Sequence, residues 1–236
     1  MSEIGKYLKY ALESQDDDCA KLACGIISDL AGAMQDGLNQ YLEDFVPCLH
    51  NILRSADTDR KIKLPALQAL GDLSLNSGDQ FNQRYLNDTL VILNAAASMS
   101  TQIEQIPSDD QETFTFLADL RESLLEQYGT ILIAISDSAD AQQKSLFQQY
   151  LACICDFLEA TLRIEGTSSE ETLRGVAALM LDMSTHYSQD PQLKAKLQQP
   201  YVEQLLNALQ AYPDPESQET AVNTYQAITA LGTQNA

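Results

Sequence analysis

Apolar and polar positions along the chain fall into two alternating patterns. In the first, a Tyr followed by an aliphatic residue occurs five times: Tyr7-Leu8, Tyr41-Leu42, Tyr85-Leu86, Tyr150-Leu151 and Tyr201-Val202. Five residues beyond each Tyr stand Leu12, Val46, Leu90, Cys155 and Leu206; eight beyond stand Gln15, Leu49, Leu93, Leu158 and Leu209. Offsets of one, five and eight lie on one helix face, so each copy predicts an amphipathic helix. The tyrosines are expected in core and inter-repeat packing rather than in a ligand-stacking platform. After each comes a segment rich in Ala, Gly and other small residues: Cys19–Leu30, Leu64–Leu73, Leu124–Ile131, Gly175–Met183 and Ala221–Thr229. Small side chains let a helix approach its neighbours closely.

Taking Asp29, Asp72, Thr130, Asp182 and Thr229 as equivalent gives steps of 43, 58, 52 and 47 residues. Two helices and two turns in each step of this size mark a HEAT or armadillo-type array. The expected fold is an all-α superhelix, a HEAT-repeat solenoid of about ten helices in five antiparallel pairs. A single array over residues 1–236 divides into repeats near 3–35, 38–78, 80–137, 140–188 and 192–234. Turn chemistry supports these boundaries. Asp16-Asp17-Asp18 and Asp57-Thr58-Asp59 precede the first two small-residue helices, and Ser168-Ser169-Glu170-Glu171 reads as a capping box. Pro213 and Pro215 break the chain before the last helix, and Thr101–Gln111 is the longest linker. Pro65 is expected in a first helical turn and Pro47 at a kink. No alternation long enough for a sheet is present.

Composition narrows the partners. With 14 Lys and Arg against 34 Asp and Glu, the formal net charge is −20, while 44% of residues are hydrophobic. That apolar content supports a buried core. The charge argues against nucleic acid and anionic membranes, which demand cations, and favours a basic partner. No apolar run is long enough to span a bilayer, and Met1–Lys6 lacks a signal-peptide layout. Five cysteines, an odd number, read as reduced thiols.

Catalytic chemistry finds little support. His50 and His186, the only histidines, read as polar residues at helix ends, with no nucleophile motif beside them. Cys153 and Cys155 lack partners for zinc and are expected on opposite sides of one helix. No phosphate-cradling loop or metal spacing exists, so neither an enzyme nor a cofactor or metal is expected. The informative surface lies on the small-residue helices. With their apolar faces packed, four-residue steps leave outward Gly25 and Asp29; Gln68, Asp72 and Asn76; Glu122 and Glu126; Ala178, Asp182 and His186; and Tyr225 and Thr229. Stacked repeats would align Asp29, Asp72, Glu122, Glu126 and Asp182 into an acidic wall that clasps a basic segment, with Tyr225 as an aromatic anchor. The plainer alternative is a set of solvated or helix-capping carboxylates.

The stretch Leu67-Gln-Ala-Leu-Gly-Asp72-Leu, with Tyr85-Leu-Asn-Asp-Thr-Leu and Leu120-Arg-Glu-Ser-Leu-Leu-Glu126-Gln-Tyr-Gly-Thr130-Ile131, resembles the C-terminal HEAT repeats of the importin-β (karyopherin-β1) family. Gly25–Leu30 and Val176–Met183 fit the same pattern on either side. The resemblance implies a nuclear import receptor segment holding the basic importin-β-binding region of importin-α, or a similar basic cargo. It also implies a secondary contact with Phe-Gly nucleoporins between outer helices, and shuttling between cytoplasm and nucleus. The chain is then expected to be a C-terminal fragment, with Ran bound mainly by N-terminal repeats it lacks. Tyr225 stands where the family suggests a Trp, and Gly232–Ala236 replaces a basic tail. The reading from another class is a HEAT scaffold subunit that organises a protein complex.

Overall fold

The computed structural model describes residues 3–14, 16–104, 106–136, 138, 140–164 and 169–233, the side chains of 232 and 233 excepted. Among them are twelve α-helices and a 3-10 stretch, with no strand. In order these are α1 (Glu3–Leu12), α2 (Asp17–Met34), the 3-10 stretch (Gln35–Tyr41), α3 (Leu42–Arg54), α4 (Arg60–Asn76), α5 (Asp79–Ser100) and α6 (Gln111–Ser136). There follow α7 (Ala141–Gln148), α8 (Leu151–Arg163), α9 (Glu170–His186), α10 (Pro191–Leu197), α11 (Pro200–Gln210) and α12 (Pro215–Thr233). The number exceeds ten because the Tyr helices of the second, fourth and fifth pairs are each interrupted. The breaks fall at or just before Tyr41, Tyr150 and Tyr201, so a short segment precedes the main one.

Two compact units divide the chain: Met1–Ala95 with Ile133–Lys144, and Ala96–Leu132 with Ser145–Ala236. In the first, α1 packs on α2 and α3 on α4, while α2 lies along α4 and α1 against α3. In the second, α8 packs on α9 and α11 on α12, and α9 lies along α12. The close approach of α2 and α4 follows from their small residues. Ala20, Ala23, Ala31, Ala66 and Ala69 are all at most 2% exposed. The periodic positions are buried: Leu8, Leu42, Leu86, Leu151 and Val202, and likewise Leu12, Val46, Leu90, Cys155 and Leu206. The tyrosines before them are less uniform. Tyr41 is buried and stacks on Phe45, Tyr85, Tyr150 and Tyr201 are half-buried, and Tyr7 is exposed. Gln15 lies outside the described residues.

Helix starts follow capping chemistry. Asp16 accepts from the Cys19 N–H at 3.0 Å, Asp59 from Lys61 N–H at 2.8 Å and Asp190 from Leu193 N–H at 2.8 Å. The bond from Cys19 holds the Asp16 carboxyl below the ordinary range. Ser168 lies outside the described residues, and it is Ser169 that caps α9, accepting from the Thr172 N–H at 3.0 Å. Because Asp59 starts α4 at Arg60, Pro65 stands inside the helix rather than in its first turn. Pro47 likewise lies inside α3. The linker between α5 and α6 spans the residues expected, and Pro213 stands between α11 and α12.

His50 departs from the helix-end reading. It is 4% exposed, its Nε2 lies 3.0 Å from Thr89 Oγ1, and its ring meets Tyr85 edge-on. Burial, with Arg54 nearby, pushes its pKa down to about 4. His186 ends α9 and is exposed. Cys153 is exposed and Cys155 buried, and burial raises the Cys155 thiol to about 12. No helix among the described residues is long and apolar enough to cross a membrane.

Candidate functional site: acidic faces of the small-residue helices

The candidate residues occupy the sides of α2, α4, α6, α9 and α12 that the cores leave uncovered. On α2, burial of Ala23, Cys24, Ile27 and Ala31 leaves Gly25 and Asp29 exposed. On α4, burial of Ala66, Leu67, Ala69, Leu70 and Leu73 leaves Gln68, Asp72 and Asn76 half-exposed. Gln68 Nε2 reaches the two Asp72 carboxylate oxygens at 3.4 and 3.3 Å, and Asn76 Nδ2 donates to the Asp72 carbonyl at 2.8 Å. These amides orient Asp72 without neutralising it. Since α2 packs along α4, the first unit contributes Asp29 and Asp72 from neighbouring helices.

The second unit contributes Glu122, Glu126, Asp182 and Tyr225. Glu122 is exposed but already engaged, since Ser169 Oγ and Thr172 Oγ1 donate to its Oε1 at 2.9 and 2.7 Å. It therefore helps to close the start of α9. One turn along α6, Glu126 is exposed. Asp182 on α9 is half-exposed, and burial raises its carboxyl pKa, an effect that His186 opposes. On α12, Thr224 donates to the Ala177 carbonyl at 3.1 Å, and its neighbour Tyr225 is 61% exposed. The same register joins Ser217 Oγ to Glu170 at 2.7 Å.

Several basic side chains pair with other acids. Lys9 pairs with Asp44, Arg84 with Glu43, and Arg174 with Asp214 and Glu216. Lys196 pairs with Asp156 and Arg163 with Glu159. Among the described residues, the carboxylates of Asp29, Glu126 and Asp182 have no ion pair and accept no hydrogen bond. On a chain of net charge −20, these acids favour a negative field over the uncovered sides, moderated by Lys21 on α2 and by Arg174 and His186 on α9. No group of three or more His, Cys, Asp or Glu among the described residues could hold a metal ion.

Two features lay beyond the sequence patterns. A cleft of about 530 Å³ is bounded by α8, α9 and α11, and lined by Leu162, Leu173, Pro200, Tyr201, Leu205 and Ala208. Tyr201, already marked by the ladder, was the available signal. Its hydroxyl is buried without a hydrogen-bond partner among the described residues, and burial raises its pKa. The other is Arg121, 2% exposed, whose guanidinium donates at 2.6 Å to the carbonyl of Ser100, the last residue of α5.

Residues 1–210 match the family model described as importin subunit beta-1-like, TPR repeats. Importin subunit beta-1 of Schizosaccharomyces pombe is 26% identical over 203 residues, 86% of this chain and 22% of the relative. Its Saccharomyces cerevisiae counterpart is 24% identical over 188 residues, 79% of this chain and 21% of the relative. The chain thus spans about a fifth of the length of these curated relatives. A crystal structure of importin beta in a polyethylene glycol condition superposes with a TM-score of 0.82 at 22% identity, covering 97% of this chain and 27% of that one. A Kap95:Nup1 complex gives 0.81 at 20% identity, covering 97% and 26%. A structure of Kap95p with RanGDP gives 0.80 at 19% identity, covering 96% and 25%. The likeness makes the fold an all-α HEAT-type solenoid. By the extent of the family match, the chain belongs to the importin subunit beta-1-like repeat family.

Proposed function

We propose that the chain works as a segment of a nuclear transport receptor and binds a basic peptide, the importin-β-binding region of importin-α or a similar basic cargo, on its acidic helix faces. The observation carrying this reading is that Asp29, Glu126 and Asp182 stand on the uncovered sides of small-residue helices and, among the described residues, make no salt bridge, while Lys9, Arg84, Arg174 and Lys196 pair with other acids. Uncompensated acids raise the folded state's energy and are relieved by an incoming Lys or Arg. Asp29 and Asp72 serve in one unit; Glu126 and Asp182 serve in the other, with Tyr225 offering a ring face to a cation. Glu122 contributes field while holding α9 in place.

A second contact is proposed at the cleft between α8 and α11, where Leu162, Leu173, Pro200, Tyr201, Leu205 and Ala208 offer apolar contact to the Phe side chain of a Phe-Gly nucleoporin, alongside the polar Glu159, Arg163, Gln199 and Gln204. One neighbour was solved as a Kap95:Nup1 complex, which supports this partner class. Shuttling between cytoplasm and nucleus follows from the same reading. The role is that of a binding module, not an enzyme.

Titration of the chain with a peptide of the importin-β-binding type, at about 50 and about 300 mM salt, tests the main claim. Electrostatic clasping predicts measurable affinity at low salt that falls steeply at high salt, where the Debye length shrinks. Absence of binding at low salt, or binding insensitive to salt, rejects it.

A further inference from the structure

The cleft bounded by α8, α9 and α11 has a neighbour. A second cleft, of about 650 Å³, lies on the other flank of α8, between that helix and the segment following α5. Ile103 and Glu104 line it from that segment, and Asp156, Ala160 and Ile164 line it from α8. Glu159 and Arg163 line both clefts. They stand one turn apart on α8 and pair with each other, so this ion pair is the ridge dividing the two. Helical spacing accounts for the division. Leu162 lies on one flank of the ridge, while Asp156 and Ala160, four residues apart, lie on the other.

The two flanks differ in chemistry. Leu162, Leu173 and Leu205 make the first cleft apolar. The second carries three carboxylates, Glu104, Asp156 and Glu159, with Arg163 among its lining. Asp156 pairs with Lys196 and Glu159 with Arg163, which moderates two of the three. Glu104 is exposed and, among the described residues, makes no ion pair and accepts no hydrogen bond. A cation entering this cleft therefore meets one unpaired carboxylate and two shared ones. A helix with its side chains is about 10 Å across, and an extended chain advances about 3.3 Å per residue. About three residues thus carry a peptide from one cleft, over the ridge, into the other.

We propose that the two clefts form one bipartite site for an extended peptide. An aromatic side chain enters the apolar cleft, and a Lys or Arg about three residues away enters the acidic one. Glu104 selects for that cation, because it alone of the three carboxylates has no cation of its own to exchange. The ridge makes no demand on the residues between, since Glu159 and Arg163 satisfy each other. This inference rests on the Phe contact proposed above and adds what that contact leaves open, the charge that a docked Phe must have beside it.

Fluorescence polarisation with labelled Gly/Ser peptides, each carrying one Phe-Gly pair, tests the site. One peptide has Lys three residues before and three after the Phe; a second has the same two Lys about ten residues away; a third has Glu in place of the near Lys. At about 150 mM salt the Debye length is about 8 Å, so near and far peptides of equal charge differ in local contact rather than in the general field of an acidic chain. The near-Lys peptide should bind about 3- to 5-fold tighter than the far-Lys peptide, the scale of a partly exposed ion pair, and the Glu peptide most weakly. Glu104→Lys should erase the near–far difference without changing circular dichroism, because Glu104 is exposed on a linker. Equal affinity of the near and far peptides overturns this inference alone, as does a difference that survives Glu104→Lys. Absence of binding by all three peptides rejects the Phe contact itself, and this inference with it.

Discussion

Thr172, the third residue of α9, donates its hydroxyl to the carboxylate of Glu122 on α6 at 2.7 Å, while Ser169, the N-cap of the same helix, donates at 2.9 Å. A residue picked out for its outward position thus has a structural duty. Glu122→Ala should lower stability by about 1 kcal/mol, the scale of hydrogen bonds to a charged group at a solvent-exposed site. Glu126→Ala, one turn away, should leave stability within about 0.5 kcal/mol. Urea denaturation of the two variants provides the comparison.

Charge reversal tests the binding faces with less structural risk. Asp72→Lys combined with Glu126→Lys should weaken a basic peptide at least about 10-fold at low salt while leaving helical circular dichroism intact, because neither carboxylate pairs with a cation. Calorimetric titration reads the affinity. A variant that loses its helical signal would instead make these acids structural.

Asp182 should behave unlike an ordinary surface acid. Burial raises its carboxyl pKa, so the folded chain holds the proton more tightly than the unfolded chain does. The sign follows directly: ionisation costs stability above the folded pKa, and the cost is relieved as pH falls through it. Asp182→Asn should therefore match or exceed the parent in Tm at pH 7 while binding the basic peptide more weakly. A fall in Tm would show that the carboxylate is stabilising.

His50 provides the opposite case. Its folded pKa, about 4, lies below the ordinary 6.5, so the unfolded chain takes up a proton first as pH falls. Its contribution is complete above about 6.5 and is lost between there and about 4, by about 3 kcal/mol at 1.36 kcal/mol per pH unit. His50→Gln should remove that part of the acid sensitivity. Denaturation midpoints of parent and variant, compared from pH 7 to pH 4, should converge toward the acid end.

Arg121 is a buried cation answered by a helix end. Removing it with Arg121→Ala leaves the Ser100 carbonyl unpaired and opens a cavity, at a cost of about 3 kcal/mol. Thermal melts should show a lower Tm without loss of native helicity at 20 °C.

Much of the fold was legible because burial along a packed helix is periodic. Leu8, Leu42, Leu86, Leu151 and Val202 could be recognised in the chain, and all five are interior. The outward positions followed from the same periodicity, since a helix with one face packed has little freedom about which residues remain outside. The tertiary structure alone decided what each of those residues meets. Pro65 is a local exception: Asp59, two residues away, captures Lys61 N–H and starts the helix a turn before the apolar pattern begins. His50 is interior because Thr89 and Tyr85 close over it, and Glu122 is engaged because α9 begins beside it. These partners are 35 to 50 residues away in the chain, and a periodic pattern carries no information about neighbours at that separation. Local sequence determined that helices form and which sides are apolar; the packing of one pair against the next decided which polar groups were left uncovered.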